Sequence, residues 1–147
     1  MAIETRLAEF VAAQDRVYYQ VLRELAAGRK ETHWIWFIFP QISGLGFSEM
    51  SQKFGIASKA EAQQYLADSI LGLRLRECTE LMLASPHRDI RAILGDPDDL
   101  KFRSSMTLFA AAAAQELIFK AALEKFFGGK PDPMTLRLPG EENGPER

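Results

Sequence analysis

Apolar side chains recur at three- and four-residue steps through the first 27 residues of the chain. The positions that carry this period are Phe10, Gln14, Val17, Val21 and Leu25, with Val11, Tyr18 and Leu22 widening the stripe. A period near 3.6 residues is typical of an amphipathic helix, so we predict one over residues 3–27. Gly28 ends the pattern, because glycine closes many helices in the left-handed conformation.

The next stretch, from His33 to Gln41, shows no period. Apolar residues occupy every position from Trp34 to Phe39, which is typical of a segment buried on all sides, either a central strand or a core helical turn. No second convincing strand follows, and a lone strand would leave its backbone groups without partners. We therefore predict a short helix that Thr32 caps and that ends before Pro40.

Cap and turn residues divide the rest of the chain into further helices. We expect them from Ser48 to Phe54, from Ser58 to about Ala67, from Asp68 or Ser69 to near Ser85, over residues 90–94 before Gly95, from Asp96 to Phe127 with a break near residues 110–115, and from Asp132 through Leu138. Ser58 and Glu61 form a capping box, and Asp96–Pro97 places a capping aspartate before a proline at the first helical position.

These patterns together predict an all-α fold. We expect a compact single-domain bundle of about six to eight helices, several of them short, over residues 1–138. The residues that follow, 139–147, are rich in proline, glycine and charge, so we expect them to form a mobile polar tail.

Composition narrows the class of protein further. A chain of 147 residues that is 47% apolar is long and apolar enough for one domain with a buried core. The formal net charge of -2 argues against general nucleic-acid binding. The one cysteine, Cys78, forms no intramolecular disulfide and is expected to be buried. We find no signal peptide and no apolar run of membrane-spanning length, so we predict a cytoplasmic protein without membrane contact and leave its oligomeric state open.

Two polar clusters are candidates for a site, and the first surrounds the aromatic stretch. It contains His33 as a candidate general acid or base, with Lys30, Trp34, Trp36 and Gln41 as candidate ligand-binding residues. A histidine titrates near neutral pH, and a tryptophan beside it offers a flat surface on which a ring could stack. The alternative is a core histidine bonded to a backbone carbonyl, with both tryptophans serving only as packing.

The second cluster lies near the start of the long C-terminal helix. Lys101, Arg103, Ser104 and Ser105 lie there together with Thr107. They bring two cations and three hydroxyls within two helical turns, a combination that suits a phosphate or carboxylate. The alternative is that Asp98 and Asp99 simply pair with the cations at three- and four-residue spacing.

Familiar catalytic and cofactor motifs are missing from the sequence. It contains no GxGxxG, P-loop, GxSxG or HExxH motif and no paired cysteines. The spacing of His33 and His87 indicates no metal site, and no cofactor is implied. Whether the protein is an enzyme stays open at this point.

A set of motifs spread over most of the chain resembles one bacterial family. They are Gly28-Arg29-Lys30, the run from His33 to Gln41, the loop from Gly44 to Ser48, Glu61-Ala62 with Tyr65-Leu66, Leu71-Gly72 with Arg74-Leu75, and Asp98 with the run from Lys101 to Phe109. From about Phe10 to Leu136 they are similar to the family catalogued as domain of unknown function 1810, some of whose members carry a calpastatin label. The resemblance implies a small, all-helical, cytosolic protein and no established activity.

Two functional hypotheses follow from these observations. In the first, an anionic, phosphate-bearing or nucleotide-like small molecule binds in a pocket between the aromatic helix and the helix that carries Lys101, Arg103 and the serines. In the second, the protein is a non-catalytic interaction module without a small-molecule site, and the exposed Gly44–Ser48 loop meets a protein partner. The first hypothesis requires the two clusters to lie close together, and a catalytic role requires His33 to be accessible in a cleft.

Overall fold

Nine helices make up the regular structure of the residues that the computed structural model describes, which are residues 3–137 with side chains from Thr5 onward. In chain order they are α1 (Ile3–Ala26), α2 (Ile35–Ile38), α3 (Glu49–Lys53), α4 (Lys59–Ala67), α5 (Leu71–Ala84), α6 (Ile90–Leu94), α7 (Asp98–Ala112), α8 (Leu117–Phe127) and α9 (Pro133–Arg137). The predicted all-α fold is confirmed, with several helices only about one turn long. None of these helices is both long and apolar enough to cross a membrane.

Helix α7 lies at the centre of the bundle. It packs against α8 and α4 and also contacts α2, α6 and α9, while α5 joins α1, α4 and α8. Phe102, Met106 and Phe109 of α7 are fully buried. The ring of Phe102 meets Phe39 edge-on with 4.7 Å between centroids, and Phe109 packs on Tyr65 at 5.4 Å. One hydrophobic core therefore joins the described helices.

Helix α1 follows the predicted stripe and buries one polar side chain within it. The amide of Gln14 donates to the carbonyl oxygen of Phe37 at 2.7 Å and to the hydroxyl oxygen of Tyr65 at 3.1 Å. These bonds tie α1 to α2 and α4 and satisfy an amide that would otherwise be costly to bury. Gly28 ends the helix region at a φ of 75°, the left-handed conformation expected of it.

The aromatic stretch forms one helical turn, α2, as predicted, but its predicted cap is wrong. Trp34 occupies the position before α2 and makes no side-chain cap bond. Because α2 begins only at Ile35, Thr32 lies too early to cap it, and its hydroxyl instead donates to Oε2 of Glu24 at 2.7 Å. Phe39, which precedes Pro40, lies outside the helical region at φ -123° and ψ 75°.

The loop after α2 is fixed by a single parallel bridge between Ile42 and Ile56. The amide of Ser43 donates to the carbonyl oxygen of Ile56 at 2.8 Å. The amide of Ile56 donates to the carbonyl oxygen of Gln41 at the same distance. The chain between these points, including α3, therefore leaves and returns to the bundle at one place.

Side-chain oxygen atoms at the cap position accept amides in three of the helices that follow, and they belong to Ser48 for α3, Ser58 for α4 and Asp89 for α6. Just before α5, Oδ2 of Asp68 accepts the amides of Ile70 and Leu71. The predicted capping role of Asp96 at α7 is wrong. Pro97 takes the cap position without a side-chain bond, and the helix begins at Asp98. The carbonyl oxygen of Gly95 accepts the amide of Asp99 at 2.8 Å, so backbone atoms satisfy part of this first turn.

The long C-terminal helical pattern is interrupted between α7 and α8, as predicted. Arg76 of α5 holds this break through two hydrogen bonds to the carboxylate of Glu116, each 2.7 Å long. The hydrogen bonds raise the pKa of Arg76 and lower that of Glu116. Gly128 then closes α8 in the left-handed conformation. The predicted mobile tail, residues 139–147, lies outside the described residues.

Candidate functional site

The segment between α1 and α2 is organised by one buried carboxylate, that of Glu24. Five donors reach its oxygen atoms at 2.7–3.1 Å, and they are Gln20 Nε2, the amides of Glu31 and Thr32, Thr32 Oγ1 and Trp34 Nε1. Burial alone raises the pKa of a carboxyl group, but here the hydrogen bonds outweigh it and lower the pKa of Glu24 to about 2. Glu24 is therefore charged at neutral pH and holds the segment around its anion.

Lys30 lies where the aromatic segment meets the start of α7. Its amide donates to the carbonyl oxygen of Ile93 at 2.7 Å, and its ammonium nitrogen lies 2.8 Å from Oδ2 of Asp98. The same nitrogen lies 5.1 Å from the centre of the Trp34 ring. Only 6% of the Lys30 side chain is exposed, so its charge is already balanced inside the protein. The structure brings these segments together, but it gives Lys30 an internal partner.

His33 and Trp34 occupy opposite environments. The side chain of His33 is exposed, whereas Trp34 is fully buried and donates its indole N–H to Glu24 at 2.9 Å. His33 thus has the accessibility that a general acid or base needs. The buried indole has no free face on which a ligand ring could stack.

Trp36 and Gln41 come together under the Gly44–Ser48 loop. Both are half-buried and line a cavity of about 10 Å³, which is room for about one water molecule. Phe47, in the same loop, is 85% exposed. The amide of Gln52 donates to the carbonyl oxygen of Phe47 at 2.9 Å and steadies the loop. The small cavity beside Trp36 and Gln41 therefore leaves little space for a ligand.

Lys101 and Ser105, both predicted to bind a ligand, also differ in accessibility. Lys101 is half-buried, and its ammonium group has no partner among the described residues. Ser105 is fully buried, and its hydroxyl oxygen has no hydrogen-bond partner there either. Lys101 remains available to an anion, while Ser105 faces the packed interior.

Side chains of α7 hold the segment that follows α8. The six residues involved, which we call the C-terminal anchor, are Arg103, Ser104, Thr107, Pro131, Asp132 and Thr135. Arg103 donates to the carbonyl oxygen of Pro131 at 2.9 Å, and Ser104 donates to Oδ2 of Asp132 at 3.2 Å. The hydroxyl oxygen of Thr107 accepts the amide of Asp132 at 2.9 Å. Arg103 and Ser104 thus bind the protein's own chain.

The anchored segment closes one side of an open cavity of about 290 Å³, which we call the α7–α8 cavity. Its apolar lining comes from Ala110, Ala111, Leu123, Pro131 and Leu136, and its polar lining from Thr107, Lys120 and Glu124. Lys120 is exposed and has no partner among the described residues. Gly129, also in the wall, has a φ of 80°, and a Cβ atom there would lie 2.7 Å from Glu124 Oε2. The positive φ favours glycine here, whereas the exposed Glu124 side chain could move aside.

Other reactive groups offer little chemistry. Cys78 is buried, and burial raises the pKa of its thiol to about 12, so the thiolate is not formed at neutral pH. Its sulfur atom lies 3.7 Å from the hydroxyl oxygen of Tyr18. Over residues 3–137, no three His, Cys, Asp or Glu side chains are grouped so that they could hold a metal ion.

The family model for "Protein of unknown function (DUF1810)" matches residues 4–138. The chain belongs to the DUF1810 family. Its fold is also that of the crystal structure of the conserved hypothetical protein Rv1873 from Mycobacterium tuberculosis, with a TM-score of 0.88 and 51% sequence identity. That similarity covers 90% of this chain and 94% of the other. A search of curated proteins found no match.

Sequence reasoning missed three features of this DUF1810 protein. Glu24 follows Val21 by three residues, so helical periodicity already placed it on the buried side of α1, where a carboxylate needs donors. Asp132 was expected only to cap α9, and nothing local indicated that Ser104 would reach it from 28 residues away. Lys120 lies on a helix with other charged residues, and the cavity beside it is created only when α7, α8 and the C-terminal anchor meet.

Proposed function

We propose that this DUF1810 protein binds a small molecule with an apolar body and a single negative charge in the α7–α8 cavity. The observation that carries the proposal is a cavity of about 290 Å³ with an apolar lining and, at its edge, an ammonium group on Lys120 that no described residue neutralises. Concave apolar sites with a few polar groups are the usual form of small-molecule sites, and this one is near the lower end of their roughly 300–1,000 Å³ range.

The charges around the cavity favour a monoanion over a phosphate ester. Lys120 and Glu124 both line it, one helical turn apart on α8. A dianionic phosphate near Lys120 would also be repelled by the carboxylate of Glu124, whereas a carboxylate ligand can reach the ammonium group at a smaller cost. A carboxylate attached to a ring or a short alkyl chain fits both the lining and the charge.

The proposal keeps the anionic ligand expected from the sequence but moves it along α7. Arg103 and Ser104 shape the site by holding its wall, and Thr107 lines it directly. His33 is not among the lining residues, so the proposal is binding without catalysis.

A thermal-shift screen tests the proposal directly. Phenylacetate and octanoate would be compared with AMP, ADP-ribose and inorganic phosphate on wild type, Lys120→Ala and Lys101→Ala. A ligand at about 100 times its dissociation constant stabilises a protein by about 2.7 kcal/mol, which raises Tm by several degrees. We expect the carboxylates to produce this shift in wild type and in Lys101→Ala and to lose most of it in Lys120→Ala.

Two further variants make the screen decisive. Ala111→Phe places a ring in the cavity and should abolish the shift while the protein stays folded. Lys53→Ala removes a lysine from α3 and should change nothing. A shift that disappears in Lys101→Ala but survives in Lys120→Ala would place the ligand at the site first expected from the sequence. The absence of a shift with all five compounds would overturn the proposal.

A second candidate function, a protein-interaction module, is favoured by the exposed ring of Phe47. Exposed aromatic residues on a fixed loop are common anchors of protein interfaces. The loop is fixed here by the bridge between Ile42 and Ile56 and by the bond from Gln52. Affinity capture with wild type, Phe47→Ala and Leu117→Ala would test it, since Leu117 is another exposed apolar residue. A partner lost equally in both variants would speak against the loop.

A further inference from the structure

One face of α1 carries a line of apolar residues at the edge of the core that stay partly exposed. Leu7, Val11, Leu22 and Ala26 are separated by four, eleven and four residues, so helical periodicity places them on the same face. Two open depressions lie along this face, each with a volume of about 410 Å³. Leu7, Ala8, Val11 and Ala12 line the first, and Leu22, Ala26, Leu81 and Ala84 line the second.

The two depressions follow one another along α1. From Leu7 to Ala26 a helix rises about 28 Å at 1.5 Å per residue, which matches the length of a helix of about 18 residues. The exposed alanines at Ala8, Ala12, Ala26 and Ala84 would let a second helix backbone approach closely. We call the two depressions together the α1 groove.

The charged residues that line the α1 groove are all acidic. Asp15 and Asp68 line the first depression, and Glu77 and Glu80 line the second. Between the two depressions, Arg74 is neutralised by Asp15 at 2.8 Å, and its guanidinium lies 4.7 Å from the centre of the Tyr18 ring. The hydroxyl of Tyr18 donates to Oε1 of Glu77 at 2.6 Å. The groove is therefore apolar at its floor and negative at its edges.

We infer that the α1 groove is a docking site for a basic amphipathic helix of another protein. Such a helix places leucine-like side chains on the apolar floor and lysine or arginine side chains beside Asp68, Glu77 and Glu80. Charge complementarity of this kind selects the partner and its orientation. The site is separate from the α7–α8 cavity and from the Phe47 loop.

A defined peptide provides the test. The probe is a fluorescein-labelled 18-residue peptide of leucine and lysine only, with leucine at helical spacing, and its comparison peptide has glutamate in place of every lysine. Fluorescence anisotropy should show binding of the lysine peptide that weakens as salt is raised, and no binding of the glutamate peptide. Hydrogen exchange should slow in the exposed faces of α1 and α5 when the lysine peptide is bound.

Charge-reversal variants locate the binding. Glu77→Lys/Glu80→Lys should weaken the lysine peptide by about tenfold or more, and Ala8→Lys/Ala12→Lys should do the same if one helix spans both depressions. Glu31→Lys/Glu49→Lys changes the net charge by the same amount on other exposed surfaces and should leave the affinity nearly unchanged. Equal weakening in this control, equal binding of the glutamate peptide, or no binding to wild type would each overturn the inference.

Discussion

At the residue scale, the most consequential side chain is Glu24. A buried carboxylate without donors is strongly unfavourable, and this one has five. Because three of the donors belong to Glu31 and Thr32, the loop after α1 takes its shape from a single anion. The indole N–H of Trp34 completes the group and fixes the ring in the core. One glutamate thus sets both the loop and the position of α2.

Replacing Glu24 with glutamine tests this role through pH. The pKa of Glu24 is lowered from 4.5 to about 2, so its stabilisation is present above pH about 4.5 and is lost as pH falls toward 2. This shift corresponds to about 3 kcal/mol at neutral pH. Glu24→Gln should therefore be less stable than wild type at pH 7 by about 2–3 kcal/mol, and the difference should narrow by about 2 kcal/mol at pH 3. Urea unfolding of both proteins at pH 7 and pH 3 measures this difference in stability. A difference that stays constant between the two pH values would contradict the lowered pKa of Glu24.

Ser105 offers the opposite test, because it holds a polar atom without a partner. Its hydroxyl is fully buried and forms no hydrogen bond among the described residues. Ser105→Ala removes that unsatisfied group and improves helix propensity, so we expect stability to rise by about 1 kcal/mol. The neighbouring Ser104→Ala should instead lower stability, because Ser104 donates to Asp132. Thermal unfolding compares the two, and a loss of stability in Ser105→Ala would indicate a partner that the fold does not show.

At the element scale, the helices that could be foreseen are those with local signals. Ser48 and Ser58 cap α3 and α4 as expected, and Gly28 and Gly128 take the left-handed conformation at helix ends. Each of these signals acts within about four residues, so the sequence alone contains the interaction.

The contacts that could not be foreseen join distant parts of the chain. Thr32 was expected to cap α2, but α2 begins only at Ile35, and the hydroxyl of Thr32 donates to Glu24 where the loop folds back on α1. Arg103 was expected to face a ligand, yet it meets the carbonyl oxygens of Lys130 and Pro131, 27 and 28 residues away. Such partners depend on how helices pack, which periodicity does not determine. The structure therefore departs from the sequence-based prediction more in the candidate site than in the fold.

The end of α5 depends on a lysine from α8. The ammonium group of Lys125 donates to the carbonyl oxygens of Met82, Leu83 and Ser85 at 2.5–3.3 Å. Desolvation and the nearby Arg88 lower the pKa of Lys125. These carbonyls lie at the negative end of the helix, where a cation is favourable.

Lys125→Met should therefore cost about 1–2 kcal/mol, because the last carbonyl groups of α5 lose their donor while the apolar stem is retained. Lys120→Met on the same helix is the matched control and should change stability by less than about 0.5 kcal/mol. Chemical denaturation of both variants measures the difference. Equal effects would mean that the carbonyls of α5 are satisfied by water when Lys125 is absent.

At the scale of the whole molecule, the bundle has a rigid centre and a separately held edge. Helix α7 contacts five other helices and buries its aromatic side chains completely. Helix α9 is about one turn long and is joined to α7 mainly through polar contacts of the C-terminal anchor. Regions with few buried apolar contacts open at lower free energy than the core. The wall of the α7–α8 cavity is therefore expected to be its most mobile part.

Asp132→Ala tests whether α9 opens at a lower free energy than α7. The substitution removes the acceptor for Ser104 and for the amide of Thr135, so α9 should detach more often. Hydrogen exchange of the α9 amides should accelerate by about tenfold, which corresponds to a loss of about 1.4 kcal/mol in local stability, while α7 stays unchanged. Asp96→Ala, which removes an exposed aspartate elsewhere, should leave both regions as they are. If α7 and α9 accelerate together, the bundle opens as one unit. If α9 alone accelerates, opening the cavity wall costs less free energy than unfolding the protein. A ligand of the α7–α8 cavity should then slow exchange in α9 more than in α7.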